Sequence, residues 1–207
     1  MIISASKTII VLLPEGDSVH EYIVKNNAAC TLVIQSFNQT EVNARVAVHL
    51  ASPGATATIL GLIVAKKDAR INLHTMQYHE SPDTTSNLLV KSALWDSAQS
   101  CIEGGISVAV GAQKTNAYQR NENLLLSPLA VATSKPSLEI LADDVRCTHG
   151  ATMGPISEEE LWYLATRGIS KTMAEPLIIS GFFQKGIDML EDLKMRETLF
   201  QSVAMAI

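Results

Sequence analysis

Short apolar runs recur through the first two thirds of the chain. They fall at Thr8–Leu13, Cys30–Phe37, Val42–Leu50, Thr56–Ala65, Arg70–Met76, Leu88–Leu94, Ser100–Val110, Asn123–Leu126 and Leu138–Ala142. Alternation is clear in two of them. Val42, Ala44, Val46, Val48 and Leu50 share one face, with Asn43, Arg45, Ala47 and His49 on the other. Ile71, Leu73 and Thr75 alternate in the same way with Asn72, His74 and Met76. A period of two places successive side chains on opposite sides of a half-buried strand. Turn-forming clusters separate the runs at Pro14–Asp17, Asn26-Asn27, Ser52–Gly54, Lys66–Asp68 and Ser81–Asp83. Such spacing fits a sandwich, a barrel or a solenoid. Periodicity alone leaves an antiparallel sandwich or barrel and a β-helix both open, and the looseness of the repeat argues against a strict short-repeat solenoid.

The pattern changes near Gly154-Pro155. Ser157 followed by Glu158, Glu159 and Glu160 reads as a capping box, with carboxylates suited to a helix N-terminus. Leu161, Leu164 and Ala165 supply an apolar face, and Gly168 suits the left-handed residue that ends a helix. A second helix is predicted from a Ser170 cap toward Phe182-Phe183. Pro176 should kink or restart it, or stand as its first residue. A third is predicted from about Ile187 to Ala204, with Ile187, Leu190, Lys194, Leu199 and Val203 as its stripe. The organisation expected is a β body over 1–153 and a helical region over 154–207.

Composition narrows the function. The 207 residues carry a net charge of −5, and the 16 Lys and Arg form no basic run, which argues against nucleic acid as a partner. Cys30, Cys101 and Cys147 are too few and too scattered for a disulfide framework and suit a reducing compartment. No apolar run approaches a membrane span or a secretory signal. A soluble cytoplasmic protein without a membrane partner is expected. No nucleotide-binding loop, Gly-x-Ser-x-Gly elbow, CxxC pair or HExxH helix is present. Gly104-Gly105 reads as a tight corner, and Cys30 and Cys101 as small core residues.

A long stretch is more specific. Gly111–Ser127 reads as a polar-rich turn leading into Leu124-Leu125-Leu126-Ser127. Pro136-Ser137-Leu138-Glu139-Ile140-Leu141-Ala142-Asp143-Asp144-Val145-Arg146-Cys147-Thr148-His149-Gly150-Ala151-Thr152 follows, then Leu161-Trp162-Tyr163-Leu164, Arg167-Gly168-Ile169, Ala174 and Gly181-Phe182. Together with His79–Ser86 and Glu103–Ile106, these ordered matches resemble the SufB/SufD family of iron–sulfur cluster assembly scaffolds, on its SufD side. The resemblance implies a mainly β fold, a right-handed parallel β-helix followed by a C-terminal α-helical region. It implies a non-catalytic scaffold with a transient iron–sulfur cluster at a subunit interface. The implied partners are a SufC-like ABC ATPase, which alone would bind and hydrolyse ATP, and a SufB-like subunit or a second copy of the chain. Members of the family are commonly about twice this length. SufB-type chains carry a reactive cysteine after the LLLS-like stretch and Glu-His-Glu where this chain has Cys147-Thr148-His149. Neither feature is present here, since Pro128–Thr133 holds no thiol.

Cys147 and His149 stand two apart, so on a strand both would face one way, and thiolate and imidazole both suit iron. Spacing alone equally fits a buried free cysteine and a histidine hydrogen-bonded in a turn; the resemblance implies that they are the candidate ligands of a shared assembly site, the other ligands coming from a partner. The resemblance also implies ATPase docking through Trp162, Tyr163, Arg167 and Phe182, and a subunit interface near Glu139, Asp143 and Asp144. Asp143 and Asp144 are adjacent and cannot form a close acid–base dyad on a strand; a turn or interface role is expected. Trp162 and Tyr163 could equally pack against the β body. His20, His49, His74 and His79 show no ligand spacing. The functional alternatives are a self-sufficient homodimeric scaffold, a paralogue that only regulates the ATPase and, remotely, a polysaccharide-active β-helix, which the few aromatics and missing signal disfavour.

Overall fold

The computed structural model describes residues 1–207. Twelve strands come first: β1 (Ile2–Ile3), β2 (Lys7–Leu12), β3 (Gly16–Val24), β4 (Ala29–Phe37), β5 (Glu41–Leu50), β6 (Thr56–Ala65), β7 (Arg70–His79), β8 (Thr85–Leu94), β9 (Gln99–Val108), β10 (Asn116–Leu125), β11 (Val131–Ile140) and β12 (Arg146–Gly154). Three helices follow: α1 (Glu158–Thr166), α2 (Lys171–Ile187) and α3 (Leu193–Ala206). Odd-numbered strands form one six-stranded sheet and even-numbered strands the other, and every pairing is parallel. The chain therefore winds as a parallel β-helix of about five turns, and the antiparallel alternatives fall away.

Stacking is in register. Ala57 lies beside Ser86 and Ser86 beside Ala117 on the even sheet, while Val42 lies beside Ile71 and Ile71 beside Ser100 on the odd one. Inward rows meet between the sheets in an apolar core that includes Leu32, Ile34, Val46, Val48, Ile59, Ile63, Ile71 and Val90. Corners stack too. The Gly54 amide donates to the Pro82 carbonyl at 3.3 Å and the Asp83 amide to the Gln113 carbonyl at 2.9 Å. Gly54, Asp83 and Lys114 all adopt positive φ, at 72°, 58° and 59°. At Gly54 a Cβ would stand 2.3 Å from Asn27 Oδ1, so a larger residue there would have to displace the Asn27 side chain as well as adopt positive φ.

The two sheets differ outside. Val33, Leu60, Leu62, Val64 and Leu89 of the even sheet are covered by Ile179, Phe183 and Ile187 of α2 and by Leu199 and Val203 of α3. Its central strands β4, β6 and β8 are largely buried on both faces, which is why Ile59–Ala65 is an unbroken apolar run. The odd sheet is open to water outside, and β5 and β7 alternate strictly.

Several local expectations change. Gly104 and Gly105 lie inside β9, not at a corner; a Cβ at Gly104 would stand 3.0 Å from Gln119 Oε1, and one at Gly105 only 2.2 Å from Met76 Sδ. The glycines make room for side chains of neighbouring strands. The polar-rich stretch before Leu124 is strand β10, not a turn, because the stacked strands on either side supply its backbone partners. Cys30 is buried, but Cys101 is half-exposed on the outer face of the odd sheet, beside Asn72 in register. Ser157 and Ser170 occupy N-cap positions without a side-chain cap bond. Ser170 Oγ instead pairs with Thr172 Oγ1 at 2.9 Å, and the first turn of α1 is exposed, so water can serve its amides. Gly168 has φ 78° and ends α1 as expected. Pro176 is neither the start nor a restart; α2 runs on through it, held by the apolar face it presses on the even sheet. The third helix begins only at Leu193, capped by Asp192, whose carboxylate accepts from the amides of Lys194 at 2.9 Å and Met195 at 3.1 Å. Lys194 is exposed and off the buried stripe.

His79 is fully buried, with Nδ1 2.8 Å from Thr84 Oγ1 and Nε2 2.8 Å from Ser86 Oγ. Burial pushes its pKa down from 6.5 to about 4. Below pH 6.5 the unfolded chain takes up a proton that the folded chain refuses, so stability falls as pH drops from 6.5 toward 4. The expected loss is about 3 kcal/mol. Urea denaturation across this window should show that loss in the parent protein and a smaller one in His79→Gln.

Candidate functional site

The β-helix closes coil by coil until β11 and β12, each the last strand of its sheet. There the inward row no longer has a further coil above it. β10 presents Ala117, Gln119, Asn121 and Asn123 inward, all buried. In register beside them on β12 lie Cys147, His149, Ala151 and Met153. Cys147 and His149 thus share a face, as two-residue spacing on a strand requires. Cys147 is half-buried against Ile106, Val108, Ala112, Ala117 and Ala142, and burial pushes its thiol pKa up, against a backbone hydrogen bond at Ala117. His149 is exposed. No third His, Cys, Asp or Glu joins them in a metal-holding group. A cluster that requires four ligands cannot be completed by this chain's pair.

Glu139 lies on the outer face of β11, with Ser107 Oγ donating to its carboxylate at 3.2 Å. Asp143 and Asp144 sit in the bend between β11 and β12, where the Asp144 amide donates to Gln113 Oε1 at 2.9 Å. They belong to a turn, and neither approaches the role of a dyad. The open end also exposes apolar side chains: Val131, Leu138, Ile140, Leu141 and Met153.

The four residues of the helical region separate into two groups. Trp162 is 70% and Tyr163 52% exposed on α1, so neither packs against the β body. Arg167 lies over the Tyr163 ring, and its guanidinium donates to the phenol at 2.8 Å. Phe182 is committed inward instead. It packs edge-on against Phe183, and the Lys91 ammonium lies 3.9 Å from its ring centre.

Sequence reasoning missed Lys91. Its side chain is 1% exposed, and it donates to Glu122, which also takes Arg120 Nε at 2.7 Å. Burial lowers the Lys91 pKa, and Glu122 opposes the shift. A lysine inside the apolar Leu88–Leu94 run was the available signal, and the fold sets Glu122 of the adjacent strand β10 in register beside it.

The comparisons with known proteins bear on this architecture. Residues 18–182 match the family model for the SUF system FeS cluster assembly, SufBD core domain. The chain belongs to the SufB/SufD family. It is 34% identical over 155 residues to the iron–sulfur cluster assembly protein SufD of Escherichia coli, covering 75% of this chain and 37% of that protein. A SufBD family protein of Synechocystis is 37% identical over 123 residues, 59% of this chain and 27% of the relative. One from Mycobacterium leprae is 29% identical over 194 residues, 90% of this chain and 50% of the relative. The chain spans no more than about half the length of these relatives. No helix is long and apolar enough to cross a membrane.

The Lys91 arrangement is testable by itself. Glu122→Gln leaves a buried ammonium without its counter-charge and should cost roughly 3–5 kcal/mol in chemical denaturation. Lys91→Met should cost far less, because it removes the charge along with its partner's task.

Proposed function

We propose that this chain is a SufD-type scaffold subunit, cytoplasmic and without bond chemistry of its own, that supplies His149 and Cys147 to a cluster-building site shared with a second scaffold subunit. The observation that carries the reading is the position of both side chains on β12, at the open end of the β-helix, with His149 exposed. An iron–sulfur cluster there is cargo, held by ligands from two chains and released to a recipient. The exposed edge of β11 and β12 and its apolar residues support a covering partner, since unpaired strand edges demand one. A SufB-like subunit is the partner that the family relation favours. Glu139, Asp143 and Asp144 would border this contact.

The helical region would receive the ATPase. α1 is nine residues long and buries no side chain, so little in this chain holds it. Its exposed Trp162, Tyr163 and Arg167 are the residue types that dominate protein interfaces. Phe182 would serve this docking indirectly, by fixing α2 on the β body through Lys91.

Anaerobic purification of the tagged chain from its own cells should bring down an ABC-type ATPase and a SufB-like subunit in fixed ratio. His149→Ala should then lower iron–sulfur assembly on the complex by about tenfold or more while the complex stays intact. Undiminished assembly in that variant would sink the shared-site reading, and recovery of the ATPase without a second scaffold would point to the homodimer.

Trp162→Ala should weaken ATPase binding by about thirtyfold, equivalent to about 2 kcal/mol, in titration calorimetry. Its melting temperature should match the parent's, because the indole is exposed.

A further inference from the structure

The interior of the β-helix changes character along its axis. Its early coils are filled by aliphatic side chains, whereas β10 turns Gln119, Asn121 and Asn123 inward. Asn121 is the exceptional one. It is 6% exposed, and neither its Nδ2 nor its Oδ1 has a hydrogen-bond partner in the protein. Its in-register neighbours, Val90 on β8 and Ala151 on β12, have nothing polar to offer it. A buried carboxamide presents two donor hydrogens and an acceptor oxygen, and leaving all of them unmet opposes folding.

Asn121 faces a gap of about 10 Å³ that Gln119, Ser134 and Gly150 also line, walled on its apolar side by Leu88 and Ile102. That volume is about the least that admits one water molecule. Gln119 is fixed there: its Nε2 donates to the Gly104 carbonyl at 2.9 Å, and the missing Cβ of Gly104 makes the approach possible. Its Oε1 retains acceptor capacity beyond the 3.5 Å contact from Gln77. Ser134 adds a hydroxyl that can donate or accept. A mixture of donors and acceptors suits water, which needs both. It does not suit a cation, which would meet the amide hydrogens, and the gap is too small for an organic ligand.

We propose that Asn121, together with Gln119 and Ser134, holds one ordered internal water in the last closed coil, behind the strand that carries Cys147 and His149. The water completes the hydrogen bonding that stacked side chains cannot supply, and it forms part of the bed on which β12 lies, since Gly150 borders the gap. The inference stands on the geometry of β10 and does not depend on the assembly function.

High-resolution crystal structures of the parent chain and of Asn121→Leu test it. In the parent, a full-occupancy water within hydrogen-bond distance of both Asn121 Nδ2 or Oδ1 and Gln119 or Ser134 is expected. In Asn121→Leu the water should be gone and its space taken by the leucine. An empty gap in the parent, an Asn121 amide turned to a protein partner, or density with the anomalous signal of an ion would each overturn the proposal. Persistence of the water at full occupancy in Asn121→Leu would overturn the role of Asn121. If the variant does not fold, the parent structure alone decides.

Discussion

Everything in this molecule depends on one coil lying in register on the next. A parallel strand receives half its backbone bonds from the coil before it and half from the coil after it. The corners repeat the same dependence, with Gly54 donating to Pro82 and Asp83 to Gln113. Once that register is set, side chains at matching positions form rows, and each row must be compatible along its length. Val42, Ile71 and Ser100 make one such row; Ala57, Ser86 and Ala117 make another. The glycines of β9 show how strict the rows are. Gly105 exists where Met76 of the neighbouring strand needs the space.

The helices exploit the same regularity. Only the even sheet carries an apolar outer face, so only there can α2 and α3 bury their stripes. Lys91 is the polar exception within this contact. A buried ammonium is tolerable because Glu122 neutralises it and the Phe182 ring receives it. Through Phe182 the charge cluster adds a directed contact between α2 and the coils to their apolar packing. The helical region is thereby tied to β8 and β10, and through β10 to β12.

The candidate pair lies where the stacking rule runs out. β11 and β12 have a coil on one side only, so their edges and apolar side chains stand open. Cys147 and His149 gain their common face from strand geometry and their accessibility from the missing next coil. The pair stands without a third metal-holding side chain for the same reason, because no further coil lies above it.

Much of the body was legible in the sequence. The alternation of Val42–Leu50 and of Ile71–Met76 marks strands with one wet face, and the unbroken Ile59–Ala65 run marks one covered on both sides. The positive-φ corners at Asn26-Asn27, Gly54, Lys67 and Asp83 coincide with the turn clusters. The ordered matches from Pro136 onward carried the family, and the spacing of Cys147 and His149 carried their shared face. Only the end of strand β10 was legible, as the Asn123–Leu126 run. Asn116–Glu122 is polar at inward and outward positions alike, and a local pattern cannot tell such a strand from a turn when its partners lie a whole coil away. The same distance hid the roles of Gly104, Gly105, Lys91 and Asn121. Residue type and local period determine which segments become strands and helices and where the chain bends. Which strands become neighbours, which face the helices cover and which polar side chains are buried are decided by contacts between residues about thirty positions apart, and only the stacked tertiary structure brings those together.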